Sequence, residues 1–341
     1  MARVLNLINK GDPFAYWGLP LYLYLIGAYS KFLTTGKCPD FPLMLQIQTQ
    51  SLCNGRCSIC PYPIVSKKLD QGTMEWDLFV KIANESASEP LLSRVECHLQ
   101  NEPLLDKRIF QFVEYFKSLN TNKRCVMVTN GELLDKFSLT DIVQSNLDKL
   151  MVSLNAYSKE MYQSLNDGLN YDRVMKNIGS LLSNSATKQK MALSFVVTEQ
   201  NNHEVYQAVQ YWNKRGVETR VIGLVNRAGT LDNYERLKPK TGYQGSRPLF
   251  RLWRRLMFHL RGIMGCPYPF YHMNVLFNGD VIICCHDWDR ATVIGNARTS
   301  SLREIWNSEK MNEIRRLILR KRYEQIISCK ECSVVKGQYW S

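Results

Sequence analysis

No stretch of this 341-residue chain is biased enough in composition to be disordered, and no cleavable leader is read ahead of its first regular elements. Acid is in short supply. Thirty-one Asp and Glu face 44 Lys and Arg, a formal charge of +13, and between Arg236 and Gly262 eight basic residues occur with no acid at all. That imbalance calls for an anionic partner: a phosphorylated small molecule, an acidic peptide or a membrane surface. A secretory context is also missing. Eleven cysteines would suggest a disulfide framework in a short secreted chain, but in one of this length they fit reduced thiolates and metal clusters, and hence the cytoplasm.

What is present begins with Pro13 to Ser30, 18 residues without a charge and rich in aromatics. Gly18, Pro20 and Gly27 interrupt the run. Three placements are open: packing on the protein's own surface, lying in a membrane interface, or spanning a bilayer. From Leu43 onward apolar runs alternate with amphipathic helical patterns about six times. Strands are read at 43–49, 95–99, 125–129, 150–155, 191–198 and 219–225, and helices at 75–88, 107–119, 159–183 and 203–214. Such alternation predicts a parallel sheet with helical crossovers and chemistry at the C-terminal ends of its strands.

The first of those ends carries Cys53-Asn54-Gly55-Arg56-Cys57-Ser58-Ile59-Cys60, three thiols spaced C-x3-C-x2-C. Three thiolates can hold three irons of a [4Fe-4S] cube and leave the fourth open, which suits chemistry better than structure. A zinc site or three unrelated buried cysteines are the alternatives, although zinc ribbons want paired C-x2-C hooks and only one is offered. After the second strand comes Gln100-Asn101-Glu102-Pro103, after the third Thr129-Asn130-Gly131, and on the fourth Ser153 and Asn155. After the sixth, Arg227 offers a guanidinium that could clamp a carboxylate or phosphate or pair with a structural acid.

The C-terminal 76 residues hold a second set, Cys266, Cys284, Cys329 and Cys332, enough to close a cluster or to bind zinc. Asn278-Gly279-Asp280-Val281 marks a hairpin turn between Cys266 and Cys284. Cys285, His286 and Asp287 follow Cys284 as candidate catalytic groups. Cys285 could donate a hydrogen atom or be a buried small hydrophobe, and His286 and Asp287 are rival proton acceptors. The basic region 236–262, with Leu249, Leu252, Trp253, Leu256 and Leu260 at helical spacing, reads as an amphipathic helix that packs on its own domain or lies on an anionic membrane.

The three-cysteine loop resembles the signature of the radical S-adenosylmethionine (SAM) enzymes. The resemblance implies that SAM chelates the open iron and is cleaved to a 5'-deoxyadenosyl radical, with Ile59 against the adenine. Gln100 to Pro103 looks like that family's Gly-Gly-Glu-Pro turn with its glycines replaced, which implies a SAM-binding role for Asn101 and Glu102. Ser153 and Asn155 resemble the polar pair near the SAM ribose and carboxylate. The C-terminal cysteines resemble the SPASM/twitch extension with one auxiliary cluster, their intervals of 18, 45 and 3 being similar to those of an aminocyclitol-oxidising member. Gly295-Asn296 and Ser301 to Trp306 add to that likeness.

The expected fold is therefore α/β, a partial (β/α)6 TIM-like barrel with a small C-terminal SPASM/twitch cluster-binding domain. Four segments are expected: an apolar and aromatic extension over 1–42, the barrel over 43–235, a basic connector over 236–265 and the auxiliary domain over 266–341. The expected cofactors are SAM, a three-cysteine [4Fe-4S] cluster and a second, auxiliary [4Fe-4S] cluster. The expected activity is a two-electron oxidation begun by hydrogen abstraction from a C-H bond of a sugar, aminocyclitol or peptide. Expected partners are an anionic small-molecule or peptide substrate and an external low-potential electron donor, with peripheral membrane contact open and no nucleic acid. The alternatives are a radical epimerase using Cys285, a non-enzymatic electron carrier, or a membrane-bound binding protein.

Overall fold

The computed structural model of the chain describes residues 19–119, 121–241 and 265–336. Its centre is one nine-stranded sheet in the order β6-β5-β4-β3-β2-β1-β7-β8-β9. The strands are β1 Met44–Ile47, β2 Arg94–Glu96, β3 Arg124–Thr129, β4 Lys149–Ser153, β5 Met191–Val197, β6 Glu218–Gly223, β7 His272–Val275, β8 Asp280–Ile282 and β9 Val293–Asn296. All pairings from β6 through β7 are parallel. Strand and helix alternate through this region as expected for a radical SAM partial barrel.

Alternation along each strand sorts side chains between two faces. Leu45, Val95, Met127, Val152, Leu193 and Met273 join the large core shared with the helices. The inner face is divided. Val126, Val128, Met151 and Ala192 form a small apolar cluster on one side. Gln46, Arg94, Glu96, His272 and Asn274 line the other, brought level by the registers Met44 to Arg94 and His272 and Gln46 to Glu96 and Asn274.

The helix expected over 159–183 is two helices, Lys159–Leu165 and Tyr171–Ser183. Asn166 to Asn170 interrupt it with Gly168 in a left-handed conformation, φ +82°, a geometry glycine adopts without a steric penalty. The break frees carbonyls for other work. Leu165 O and Asp167 O accept from Ser58 N at 2.9 Å and Arg56 N at 2.7 Å in the cysteine loop.

The C-terminal part continues the barrel sheet across the expected 235/266 boundary, because β7 pairs with β1 over four residues. The expected hairpin turn is present, β7 pairing antiparallel with β8 and Gly279 standing at φ +92°. Behind it, buried Arg315 donates to Pro269 O and Trp306 O, both at 2.9 Å, and Trp306 donates to Pro39 O at 2.8 Å.

The described part of the aromatic N-terminal run is the helix Leu19–Thr35. It buries Tyr24, Leu25, Ala28, Tyr29 and Phe32 on the protein itself. Tyr29 stacks on Phe270 at 4.1 Å and donates to the Cys266 carbonyl at 3.2 Å. Leu23, Ile26 and Leu33 point outward. Among the described residues no helix is long and apolar enough to cross a membrane. The expected basic amphipathic helix, including Arg251, Arg254 and Arg255, lies outside the described residues from 242 to 262.

Candidate functional site

The site starts where β1 ends. Gln50 folds over the following loop, donating to Leu52 O at 2.9 Å and Glu102 O at 2.6 Å, while Glu102 N donates to Leu52 O at 2.9 Å. Asn54 donates to Glu132 Oε2 at 2.6 Å and accepts from Asn130 at 2.8 Å. Asn233 donates to Ser58 O at 2.9 Å. The loop is thus held by Gln50 at its start and by the segments around Glu102, Asn130 to Glu132 and Asn233. Gln50, Asn54 and Glu132 were not singled out in the sequence, since a lone amide or carboxylate in a βα turn carries no spacing signal.

Cys53, Cys57 and Cys60 lie within electrostatic reach of one another. Burial pushes the Cys53 thiol up to about 12, with Glu102 adding to it, and also raises Cys57 well above its ordinary value, with help from Cys60 and Cys53. Thiols this buried ionise when a metal takes the proton's place. A methyl group on Gly55 would stand 3.3 Å from Cys57 Sγ, so the loop fits closely around its sulfurs. Three thiols grouped in a loop cradle fit a three-cysteine cube. Among the described residues no three His, Cys, Asp or Glu converge on a single-ion site. In a cube each thiolate takes its own iron.

Glu102 is buried, and its carboxylate accepts from Thr129 Oγ1 at 2.6 Å, Asn130 N at 2.7 Å and Leu104 N at 3.1 Å. Burial nevertheless raises it to about 7, opposed by those three donors. In the turn before it Gln100 stands at φ +55°, a left-handed conformation that glycine would adopt without strain. Asn101 Oδ1 accepts from Leu99 N at 2.8 Å, and its buried Nδ2 has no partner among the described residues. Gly131 is left-handed at φ +81°, as the turn requires.

Ser153 lies on the inner face beside Ser194, 3.2 Å between hydroxyls. Asn155 is engaged by its neighbours. It is left-handed at φ +61°, and its amide is consumed by Val196 N at 3.0 Å and Asn166 Oδ1 at 3.1 Å, so its side chain braces the β4 and β5 ends. Ile59 is buried among Leu165, Leu224, Leu231, Tyr234 and Leu237.

The second thiol set also gathers. Burial is the main cause that raises Cys284, followed by the charges of Cys285, Cys329, Cys332 and Cys266. Burial likewise raises Cys329, with Cys266 and Cys332 next. Cys332 is raised by burial but receives backbone N–H groups from Val334, Val335 and Ala228, the kind of donor that tunes a cluster sulfur. Ala228 belongs to the turn after β6, which is locked to the Cys332 loop by Asn226. Asn226 donates to Glu331 O at 2.6 Å and accepts from Ser333 N at 2.7 Å. Four buried or half-buried thiols within electrostatic reach of one another, with amide donors to one of them, fit a fully ligated cluster in which each thiolate takes its own iron.

Arg227, in the turn after β6, is strained at φ +50°. Its charge opposes the burial that raises both Cys60 and Cys285. Its Nε is buried without a partner among the described residues. Cys285 packs beside Leu99, Leu276, Ile282 and Val293, and burial holds it at about 11. His286 Nε2 lies 3.1 Å from the Tyr268 hydroxyl. Asp287 is buried, and burial raises its carboxyl. Its carboxylate braces the turn beyond it, accepting from Ala291 N and Thr292 N, both at 3.0 Å, and from the Ser328 hydroxyl.

A parallel partial barrel with a three-thiol loop after its first strand and a four-thiol set beside its mouth defines a class of enzyme that works through an open iron-sulfur cluster. The chain belongs to the radical SAM superfamily: the family model described by that name matches residues 47–225, just over half of it. A second model, SPASM, described as an iron-sulfur cluster-binding domain, matches residues 266–333. SAM and iron-sulfur clusters are its cofactors.

Among curated proteins the chain is similar to the S-adenosyl-L-methionine-dependent 2-deoxy-scyllo-inosamine dehydrogenase of Niallia circulans. The two are 23% identical over 86% of this chain and 94% of that protein. It is also similar, at 22% identity over 85% of this chain and 87% of the relative, to a tungsten-containing aldehyde ferredoxin oxidoreductase cofactor-modifying protein of Pyrococcus furiosus. Among solved structures, BtrN in complex with AdoMet and 2-DOIA aligns with a TM-score of 0.60 at 21% identity, covering 86% of this chain and 93% of that one. Streptococcus suis SuiB bound to precursor peptide SuiA aligns at 0.64 and 17%, covering 90% and 72%. These likenesses support the fold.

Proposed function

We propose that this enzyme removes two electrons from its substrate, beginning with hydrogen abstraction from a C-H bond of a sugar, aminocyclitol or peptide. Cys53, Cys57 and Cys60 would hold the SAM-binding cluster, and Cys266, Cys284, Cys329 and Cys332 the auxiliary one. Bound there, the first group supplies a 5'-deoxyadenosyl radical from SAM and the second a place for an electron.

The observation that carries the reading is the position of Arg227, within reach of Cys60 and of Cys285. That one charge acts on a thiol of the first loop and on the neighbour of Cys284 supports a substrate region shared by the two sets. A substrate between them would lose a hydrogen atom toward the first loop and an electron toward the second. Its proton would leave to a base, for which His286 is better placed than Asp287, whose oxygens brace a turn. Arg227 would orient an anionic or carbonyl oxygen, and Glu102 with the Asn101 turn would hold the amino-acid part of SAM. Dehydrogenation by the Niallia circulans relative supports the same assignment. The cluster would draw its reducing electron from an external low-potential donor. The outward Leu23, Ile26 and Leu33 and the overall positive charge leave peripheral membrane contact as a subsidiary proposal.

A radical epimerase is the competing reading, and Cys285 is its hydrogen donor. The apolar packing of that thiol favours the oxidation. The test is the mass of the product: two units lighter for oxidation, unchanged for epimerisation.

A further inference from the structure

A cleft that holds neither thiol set opens where the segment after the first cysteine loop meets the segment after Cys284. Tyr62, Ser66, Leu69 and Gln100 line it together with Trp288 and Arg290. Three polar atoms of these residues are buried without a partner among the described residues: Trp288 Nε1, Arg290 Nε and Gln100 Oε1. Trp288 and Gln100 are only 8% and 9% exposed. Folded proteins leave few such groups unsatisfied.

Arg290 sets the sign of what belongs there. Its half-buried guanidinium lies over the Phe277 ring at 5.8 Å, donates to the Asp70 carbonyl at 3.2 Å and forms no ion pair among the described residues. The nearby acids are placed otherwise. Asp287 accepts from Ala291 N and Thr292 N, Asp280 from the Asn278 and Asn296 amides, and Asp70, which also lines the cleft, is exposed. Burial outweighs their attraction and holds the guanidinium below its usual range. A partly buried cation without a counter-ion, with an indole N–H on the same cleft, is complementary to a carboxylate. The enclosed space is about 10 Å³, room for one water, which can give one hydrogen to Gln100 Oε1 and the other to an anion at the mouth. The anion therefore stays at the surface, carried on something larger than the cleft.

The surroundings of the mouth point to a protein. Along the helix Tyr62–Val65 and the turns that follow it, Tyr62, Val65, Ser66 and Leu69 line the cleft, while Ile64, Lys67 and Lys68 are exposed. Neither lysine forms an ion pair among the described residues. With Arg290 they outnumber the exposed acids Asp70 and Asp289, in a chain of net charge +13. An exposed apolar residue beside unpaired lysines suits an acidic partner. The same helix starts at the first thiol loop: Tyr62 N–H donates to Cys60 Sγ, and the Tyr62 hydroxyl receives the Cys53 N–H. A protein seated over the cleft thus lies against the residue that bonds two of the loop's cysteines.

We propose that Lys67, Lys68, Trp288 and Arg290 form the docking surface for an acidic, low-potential one-electron carrier that reduces the first cluster, with a carboxylate of the carrier paired to Arg290. The carrier gives up one electron and the cluster gains it, with no bond made or broken. The inference rests on the radical SAM reading above and adds where its electron enters.

The test uses the reconstituted full chain with two probes, an acidic flavodoxin and an acidic ferredoxin, and with sodium dithionite as a reductant that needs no docking. Lys67→Glu combined with Lys68→Glu, and separately Arg290→Gln, are expected to weaken binding of the carrier about tenfold or more in calorimetric titration. The carrier concentration that half-saturates 5'-deoxyadenosine formation should rise by a like factor. Iron content and the dithionite-driven rate are expected to stay unchanged. Added salt should weaken carrier binding in the wild type more than in the lysine variant. Should Arg290→Gln lose iron, the lysine pair, being exposed, gives the decision by itself. Failure of the wild type to bind either carrier overturns the docking surface. So does unchanged affinity in both variants, the result expected if the cleft holds an ordered water only. An equal loss of the dithionite-driven rate also overturns it, by marking a structural role. Wild-type protein that binds a carrier at this surface yet forms no 5'-deoxyadenosine under any reductant would remove the cluster assignment and leave the docking surface standing.

Discussion

Gln100 Nε2 donates to the Asp287 carbonyl at 2.8 Å, tying the turn that leads into Glu102 to the loop that carries Cys284 and Cys285. The bond joins residues 187 positions apart and explains a glutamine at a left-handed position. Left-handed backbone costs a non-glycine residue about 1–2 kcal/mol, and the hydrogen bond returns about 0.5–1.5 kcal/mol. Gln100→Gly is therefore expected to be nearly neutral, trading strain for the lost bond. Gln100→Ala keeps the strain without the bond and should melt several degrees lower. Thermal melts of the two variants side by side check this, and equal melting temperatures would remove the argument.

Metal content follows from the two thiol sets. Anaerobically reconstituted protein should carry about eight irons per chain, four for each cube. Changing Cys53, Cys57 and Cys60 together to Ala should leave about four and abolish 5'-deoxyadenosine formation. Zinc in place of iron at the C-terminal set, read by metal analysis, would contradict the auxiliary cluster.

Protonation of the inner wall sets a pH dependence. His98 is held near 3, chiefly by burial and then by Arg94. Its Nδ1 accepts from Val128 N at 3.2 Å, which keeps it neutral in the folded protein. Since the folded value lies below the unfolded one, stability is full above about pH 6.5 and falls as the pH drops toward 3. The slope from this group is about 1.4 kcal/mol per pH unit within that window. His98→Gln should flatten the fall in melting temperature between pH 6.5 and 5, and a slope unchanged by the substitution would refute the assignment.

Gly131 stands where a side chain has no room. At φ +81° an added Cβ would lie 2.7 Å from Val152 Cγ1, a short β-branched group fixed in β4. Gly131→Ala is expected to cost about 2 kcal/mol or more through conformation and overlap combined. It should also loosen the Asn130 contact to the cysteine loop, seen as faster loss of iron from the first cluster in a chelator challenge.

Oxidation and epimerisation part company at Cys285. An epimerase needs a thiol at each turnover and leaves a solvent-derived hydrogen on carbon, whereas an oxidation needs neither. Run in D2O with a converted substrate, Cys285→Ala should still give a product two mass units lighter, free of carbon-bound deuterium. An isobaric, deuterated product that vanishes in the variant would establish the epimerase.

Much of this protein is written locally. The C-x3-C-x2-C loop, the four later cysteines and the alternation of apolar runs determined by themselves the superfamily, the parallel sheet and the cofactors, because cluster ligation and strand burial act through short spacings. The hairpin at Gly279 was legible for the same reason. Less visible was the break at Asn166 to Asn170, whose Asn-Asp-Gly turn signal lay inside a longer helical pattern. Tertiary structure alone decided the rest. That β7 pairs with β1 is a register choice between segments more than 200 residues apart, and it brings Gln46, Glu96, His272 and Asn274 onto one wall. The use of the Asp287 and Asn155 side chains as braces, and the reach of the Arg227 charge to both Cys60 and Cys285, depend on which neighbours the folded chain supplies. A residue's type and spacing show what chemistry it can do; its partners, set by long-range packing, determine what it is left free to do.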